Sequence, residues 1–183
     1  MDEKKLQNIR ARSDAKLRYA QVHFDELIAA GRSGSDFERA HLESTLFHLI
    51  GARDAFLVEL IEYYALGYIK TVSLGTVRHA LKSQNKSTKE VCELYMLDKD
   101  KSGWFYQVKE WRHHTSHKGP LRHHFTLHTG TVETTAGEIN LEDPETSERV
   151  ERKHISEWLS NMKQLLERLR ECAIKENQRD DLE

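Results

Sequence analysis

Six of the eleven histidines lie in one seventeen-residue stretch, RHHTSHKGPLRHHFTLH, from Arg112 to His128. Imidazole titrates near neutral pH, so such a cluster suits proton transfer, metal ligation or phosphate contact. Arg112, Lys118 and Arg122 stand among the histidines. Three chemistries fit these residue types. The plainest is a solvated helix end, where cationic side chains interact well with the helix dipole. The second is a metal site: His113 and His117 are four apart, Glu110 lies one turn earlier, and His123, His124 or His128 would complete the ligand set. No cysteine lies nearby and no HExxH occurs. The third is a phosphate site in which an arginine holds charge and a histidine moves a proton.

The elements that must position these residues follow from hydrophobic spacing. Ile9, Leu17, Ala20, Phe24, Leu27 and Ile28 predict a helix over residues 3–30, stopped at Gly31. Leu42, Leu46, Leu49, Ile50, Phe56, Leu57, Leu60, Ile61 and Tyr64 predict a second over 36–68. Residues 71–86 are ambiguous, with a short helix over 76–81. Ser87 and Glu90 have capping-box spacing and open a helix to about Leu97. After a polar break at 98–102, a helix from Gly103 carries Trp104, Phe105, Val108, Trp111 and Arg112. Trp104, Val108, Trp111 and Thr115 form its apolar face. Gly119–Pro120 ends it. HHFTLHTG and GEINLED alternate around turn-forming glycines and read as a hairpin at about 122–143. A last helix spans 148–175, followed by a frayed tail at 176–183. The expected fold is all-α: one domain over 1–183, an up-and-down bundle of four or five helices with a small β-hairpin inserted before the last.

Composition narrows the function classes. With 38% hydrophobic and 32% charged residues, the chain suits long amphipathic helices with wide solvated faces. Nine glycines and two prolines leave little material for an all-β fold. A net charge of −2 excludes a general whole-surface attraction to polyanions, so any such binding must come from a local patch. Cys92 and Cys172 form no spaced motif and suit a reducing compartment. MDEKKLQNIR lacks the apolar core of a signal peptide. The greasiest run, AFLVELIEYYALGYI, is too short to span a membrane and is interrupted by Glu59 and Glu62. A cytoplasmic protein with no membrane contact is expected.

Arg112 and His117 form an R-x4-H pattern. It also occurs at Arg18–His23 and Arg149–His154, but neither of those arginines is followed by a polar residue, and neither pattern sits beside other histidines in the sequence. Context therefore selects Arg112 and His117. This segment, RHHTSH, with His113 directly after the arginine, resembles the motif of HEPN-domain proteins, helical bundles of which many are metal-independent ribonucleases. Its place also matches: late in a bundle helix, after an aromatic segment and before the last long helix. The resemblance implies an endoribonuclease without metal or other cofactor. Arg112 would hold charge, His117 would act as acid or base, and His113 would assist, with Glu110 and His114 supporting. Lys109, Lys118, Arg122, His123 and His124 would form the basic approach for the RNA backbone. Five residues turn an ideal helix by about 140°, so Arg112 and His117 diverge within one straight helix. Either the helix unwinds before His117, which Gly119–Pro120 permits, or two protomers combine their motifs; the resemblance implies the second, with motifs paired across a homodimer interface. It further implies a nucleotidyltransferase or antitoxin as partner. Two other classes remain: a metal-binding bundle enzyme using His113, His117 and His123, and a non-catalytic module of HEPN type.

Overall fold

The computed structural model describes residues 3–30, 36–117, 122–124, 140–142, 149–150 and 152–180. Side chains at 3, 6, 114, 116–117, 122–124, 140–142, 149–150 and 175–180 lie outside the description. The described residues form six helices: α1 (Glu3–Ala29), α2 (Asp36–Tyr63), α3 (Leu74–Ser83), α4 (Lys89–Lys99), α5 (Trp104–His117) and α6 (Arg152–Asp180). The protein is a helical bundle.

Helix α2 is its axis. Leu42, Leu46, Leu49, Ile50, Phe56, Leu57 and Leu60 are all buried on one face, and buried Thr45, Ala52, Ala55 and Glu59 carry the buried arc round roughly two thirds of the helix circumference. A helix apolar on most sides belongs inside, and α2 touches α1, α3, α5 and α6. Cross-contacts fix the directions. Arg10 meets Tyr63 and His23 meets His41, so α1 runs antiparallel to α2. Arg53 lies over Phe105 and Arg112 over Phe47, so α5 is antiparallel to α2 as well. Arg152 pairs with Glu38 and Arg170 with Glu59, so α6 runs parallel to α2.

Helix ends depart from the sequence reading for identifiable reasons. α2 stops at Tyr63 because the chain turns left-handed at Ala65 (φ 49°) and Gly67 (φ 73°), with Leu66 N–H bonded back to Ile61 O at 2.9 Å. The ambiguous stretch becomes α3, longer than expected, because Ser73 and Thr76 form a reciprocal capping box. Ser73 Oγ accepts from Thr76 N–H at 3.1 Å, and Ser73 N–H donates to Thr76 Oγ1 at 2.9 Å. Ser73→Ala should cost about 0.5–2 kcal/mol, read as a lower urea midpoint at unchanged slope. The box expected at Ser87 does not form. Thr88 caps α4 instead, and Glu90 is fully buried, accepting from Tyr64 Oη at 3.0 Å. Ile28, expected in the core, is 48% exposed. On α5, Phe105, Val108 and Trp111 are buried while Trp104 is only partly so, which shifts the apolar face toward Phe105.

The expected hairpin is not seen as one, because its turn lies outside the described residues. What is described is backbone pairing of three short strands, β1 (Arg122–His124), β2 (Asn140–Glu142) and β3 (Arg149–Val150), all antiparallel. β3 occupies residues that the hydrophobic spacing placed in the last helix.

Candidate functional site

Arg112 sits near the end of α5, where the buried run Phe105, Val108 and Trp111 clamps the helix onto α2. This packing directs the Arg112 side chain toward Phe47 of α2, with the guanidinium carbon 5.9 Å from the ring centroid. At that distance the ring attracts the cation while leaving its donors for other partners. Arg112 Nε is buried and has no hydrogen-bond partner among the described residues. A buried donor left so costs free energy unless an acceptor arrives, and an anionic oxygen is the strongest acceptor for it.

The other expected site residues divide into two groups. Glu110 and His113 are exposed on α5. Lys109 turns instead toward Asp98, with Nζ–Oδ1 3.0 Å, and lies 4.6 Å from the Tyr106 ring centroid. Its charge therefore ties α5 to the end of α4. The side chains of His114, His117, Lys118, Arg122, His123 and His124 lie outside the described residues. Among the described residues, no group of three His, Cys, Asp or Glu side chains is placed to hold a metal ion. Of the metal-site trio His113, His117 and His123, only the His113 side chain is described, and it is exposed.

The fold assembles a second imidazole cluster that the sequence reading missed. His23 of α1 faces His41 and His48 of α2. The Nδ1 atoms of His23 and His41 are 3.2 Å apart. The rings of His23 and His48 stack at 5.5 Å with an 11° interplanar angle. His23 belongs to one of the R-x4-H patterns set aside for want of neighbouring histidines; in three dimensions it has two. The signal lay in the spacing: His41 and His48 are seven apart, hence on one face of α2, and an antiparallel α1 brings His23 across.

Around the cluster stand Lys16, whose Nζ is 3.5 Å from His48 Nδ1, and the rings of Tyr19, Phe37 and Phe47. His23 is held below the ordinary imidazole pKa, first by desolvation, then by His41, against a raising effect of Glu26. His48 is lowered by desolvation, then by Lys16 and His23. Unfolding frees both rings toward the ordinary value of 6.5, so the unfolded chain binds more protons in this window. Their contribution to stability is therefore present above about pH 7 and declines as pH falls through 6.5 and below. Replacing both by asparagine should make the melting temperature less sensitive to acid between pH 7.5 and 5.5 than that of the wild type; an unchanged slope would refute the assignment.

The protein is thus an α-helical bundle with an arginine beside the Phe47 ring at the end of α5 and an imidazole–aromatic seam between α1 and α2. Residues 8–175 match the model of a family described as "Family of unknown function (DUF6586)", and the chain belongs to that family. No curated protein and no solved structure matches it. No helix among the described residues is long and apolar enough to cross a membrane.

Proposed function

We propose that this protein is a metal-independent endoribonuclease of HEPN type, acting as a homodimer with the Arg112 ends of two α5 helices side by side. The observation that carries this reading is the Arg112 guanidinium, 5.9 Å from the Phe47 ring centroid, with a buried Nε that has no acceptor among the described residues, one residue before an imidazole run. That arrangement suits a phosphoryl oxygen. In the proposed reaction the ribose 2′-oxygen attacks the adjacent phosphorus as a base removes its proton. The bond to the 5′-oxygen breaks and an acid protonates that oxygen, leaving a 2′,3′-cyclic phosphate and a 5′-hydroxyl. Arg112 holds the extra charge of the transition state, and His117 is the acid or base. His113 assists; Glu110 and His114 support. Lys118, Arg122, His123 and His124 line the approach of the RNA backbone. Lys109, already tied to Asp98, contributes there only through its remaining field.

The family resemblance further suggests a nucleotidyltransferase or antitoxin as regulating partner. Incubating labelled RNA with the protein in EDTA tests the reading. Cleavage that persists in EDTA, ends in cyclic phosphate and is lost in His117→Ala is the expected result. Absence of cleavage in any condition would leave the non-catalytic module. Cleavage abolished by EDTA and restored by a transition metal would leave the metal enzyme.

A further inference from the structure

The α1–α2 seam is a second built surface. Tyr19, Phe37 and Phe47 are each about half exposed, at 51%, 52% and 49%. They do not form one greasy patch, because the three imidazoles and Lys16 separate them. Tyr19 packs edge-on to His48, Phe37 lies 4.2 Å from His41, and Phe47 packs edge-on to His48. Lys16 Nζ and the Arg112 guanidinium both lie near the Phe47 ring, at 5.3 and 5.9 Å from its centroid. Aromatic faces alternating with cations and titratable imidazoles match a polymer that alternates planar bases with phosphates.

We propose that this seam binds a single-stranded RNA segment, its bases stacking on Tyr19, Phe37 and Phe47 and its phosphates meeting Lys16, Arg112 and the three imidazoles. This deepens the ribonuclease reading and rests on it for the place of the scissile phosphate, which Arg112 would hold. A duplex is the wrong shape, since its bases are already stacked on one another. A second copy of the chain centred on this seam would set Lys16 against its own image, whereas a polyanion neutralises it.

The seam should also sense pH. The charged groups facing the three rings are Lys16 and Glu26 on α1, the imidazoles themselves, and Arg112 across Phe47. Desolvation first, and then the neighbouring charges of His41 on His23 and of Lys16 and His23 on His48, hold both imidazoles below their ordinary pKa. A phosphate at the seam favours their protonated forms, so binding takes up protons and strengthens in mild acid.

The experiment is fluorescence anisotropy with a labelled, unstructured twelve-nucleotide RNA and with its duplex. It uses full-length His117→Ala protein in EDTA at pH 6.0 and 8.0, so that binding is read without cleavage. The single strand should bind several-fold more tightly at pH 6.0, and more tightly than the duplex. Tyr19→Ala and Phe37→Ala, both at exposed positions, should each weaken binding about 5- to 100-fold. His23→Asn with His48→Asn should flatten the pH dependence. Equal affinity in the Tyr19 and Phe37 variants would overturn the proposal. So would a pH-independent affinity. Self-association in sedimentation that Tyr19→Ala abolishes would overturn it in favour of a second copy. The two readings fail separately: seam-dependent binding without any cleavage by the wild type removes the nuclease alone, and cleavage with seam-independent binding removes the platform alone.

Discussion

Glu59→Ala is expected to destabilise the protein by about 3–5 kcal/mol, the usual effect of removing one partner from a buried ion pair. Glu59 is fully buried in the middle of α2. Its carboxylate accepts from Arg170 Nε at 3.0 Å and from Arg170 Nη2 at 2.9 Å, and Ser13 Oγ of α1 donates to it as well. Arg170 Nη2 also donates to Ser13 Oγ at 2.6 Å and pairs with Asp14 at 2.8 Å. Three helices thus converge on one carboxylate. Desolvation opposes the charge on Arg170, but Glu59 and Asp14 outweigh it and raise the guanidinium pKa further. Removing Glu59 leaves that cation in a place from which water is excluded. For a chain of 183 residues the loss corresponds to a fall in melting temperature of roughly 6–20 °C.

The control is informative. Glu59→Leu combined with Arg170→Met removes both charges and should recover most of the lost stability, because apolar replacement of a buried pair is often neutral. A single Glu59→Ala variant that melts within about 2 °C of wild type, an effect under about 1 kcal/mol, would show that water or relaxation satisfies Arg170 instead.

The same network shows what a sequence can and cannot reveal. The long helices were legible because Leu42 through Leu60, and Ile155 through Leu169, repeat at helical spacing, and burial follows that stripe. Glu59 looked like an interruption of the apolar run. It is a core residue because Arg170, 111 positions away, arrives from another helix. Pairings at that separation leave no local trace. The imidazole seam was hidden in the same way, since each of its histidines is isolated in sequence and only the antiparallel α1–α2 packing joins them. α3 was half legible: its capping box depends on Ser73 and Thr76, whereas Ser87 offered the same spacing to α4 and lost to Thr88. Arg112 was picked out by its neighbours in the chain. Its approach to Phe47 could not be read from them, because Phe47 shares no pattern with it.

On the proposed ribonuclease reading, Arg112→Ala is the second large effect, an expected loss of roughly 10²–10³-fold in RNA cleavage with little change in folding. The guanidinium carbon lies 5.9 Å from the Phe47 ring centroid and Nε has no hydrogen-bond partner among the described residues, so removing the side chain breaks no ion pair seen there. Arg112→Lys should recover little of the rate. A lysine supplies the charge without the planar fork that both stacks on a ring and grips two phosphoryl oxygens. The sharper test uses the geometry of the helix. If Arg112 and His117 diverge by about 140°, each pocket combines the arginine of one protomer with the histidine of the other. Arg112→Ala and His117→Ala proteins would then each be inactive alone. Mixed, unfolded together and refolded at equal concentration, half of the dimers would be hybrids, each with one intact pocket and one lacking both groups. The mixture should regain roughly a quarter of wild-type cleavage. A mixture as inactive as its components would mean that no pocket is shared between protomers, and the dimer-interface arrangement would fall with it.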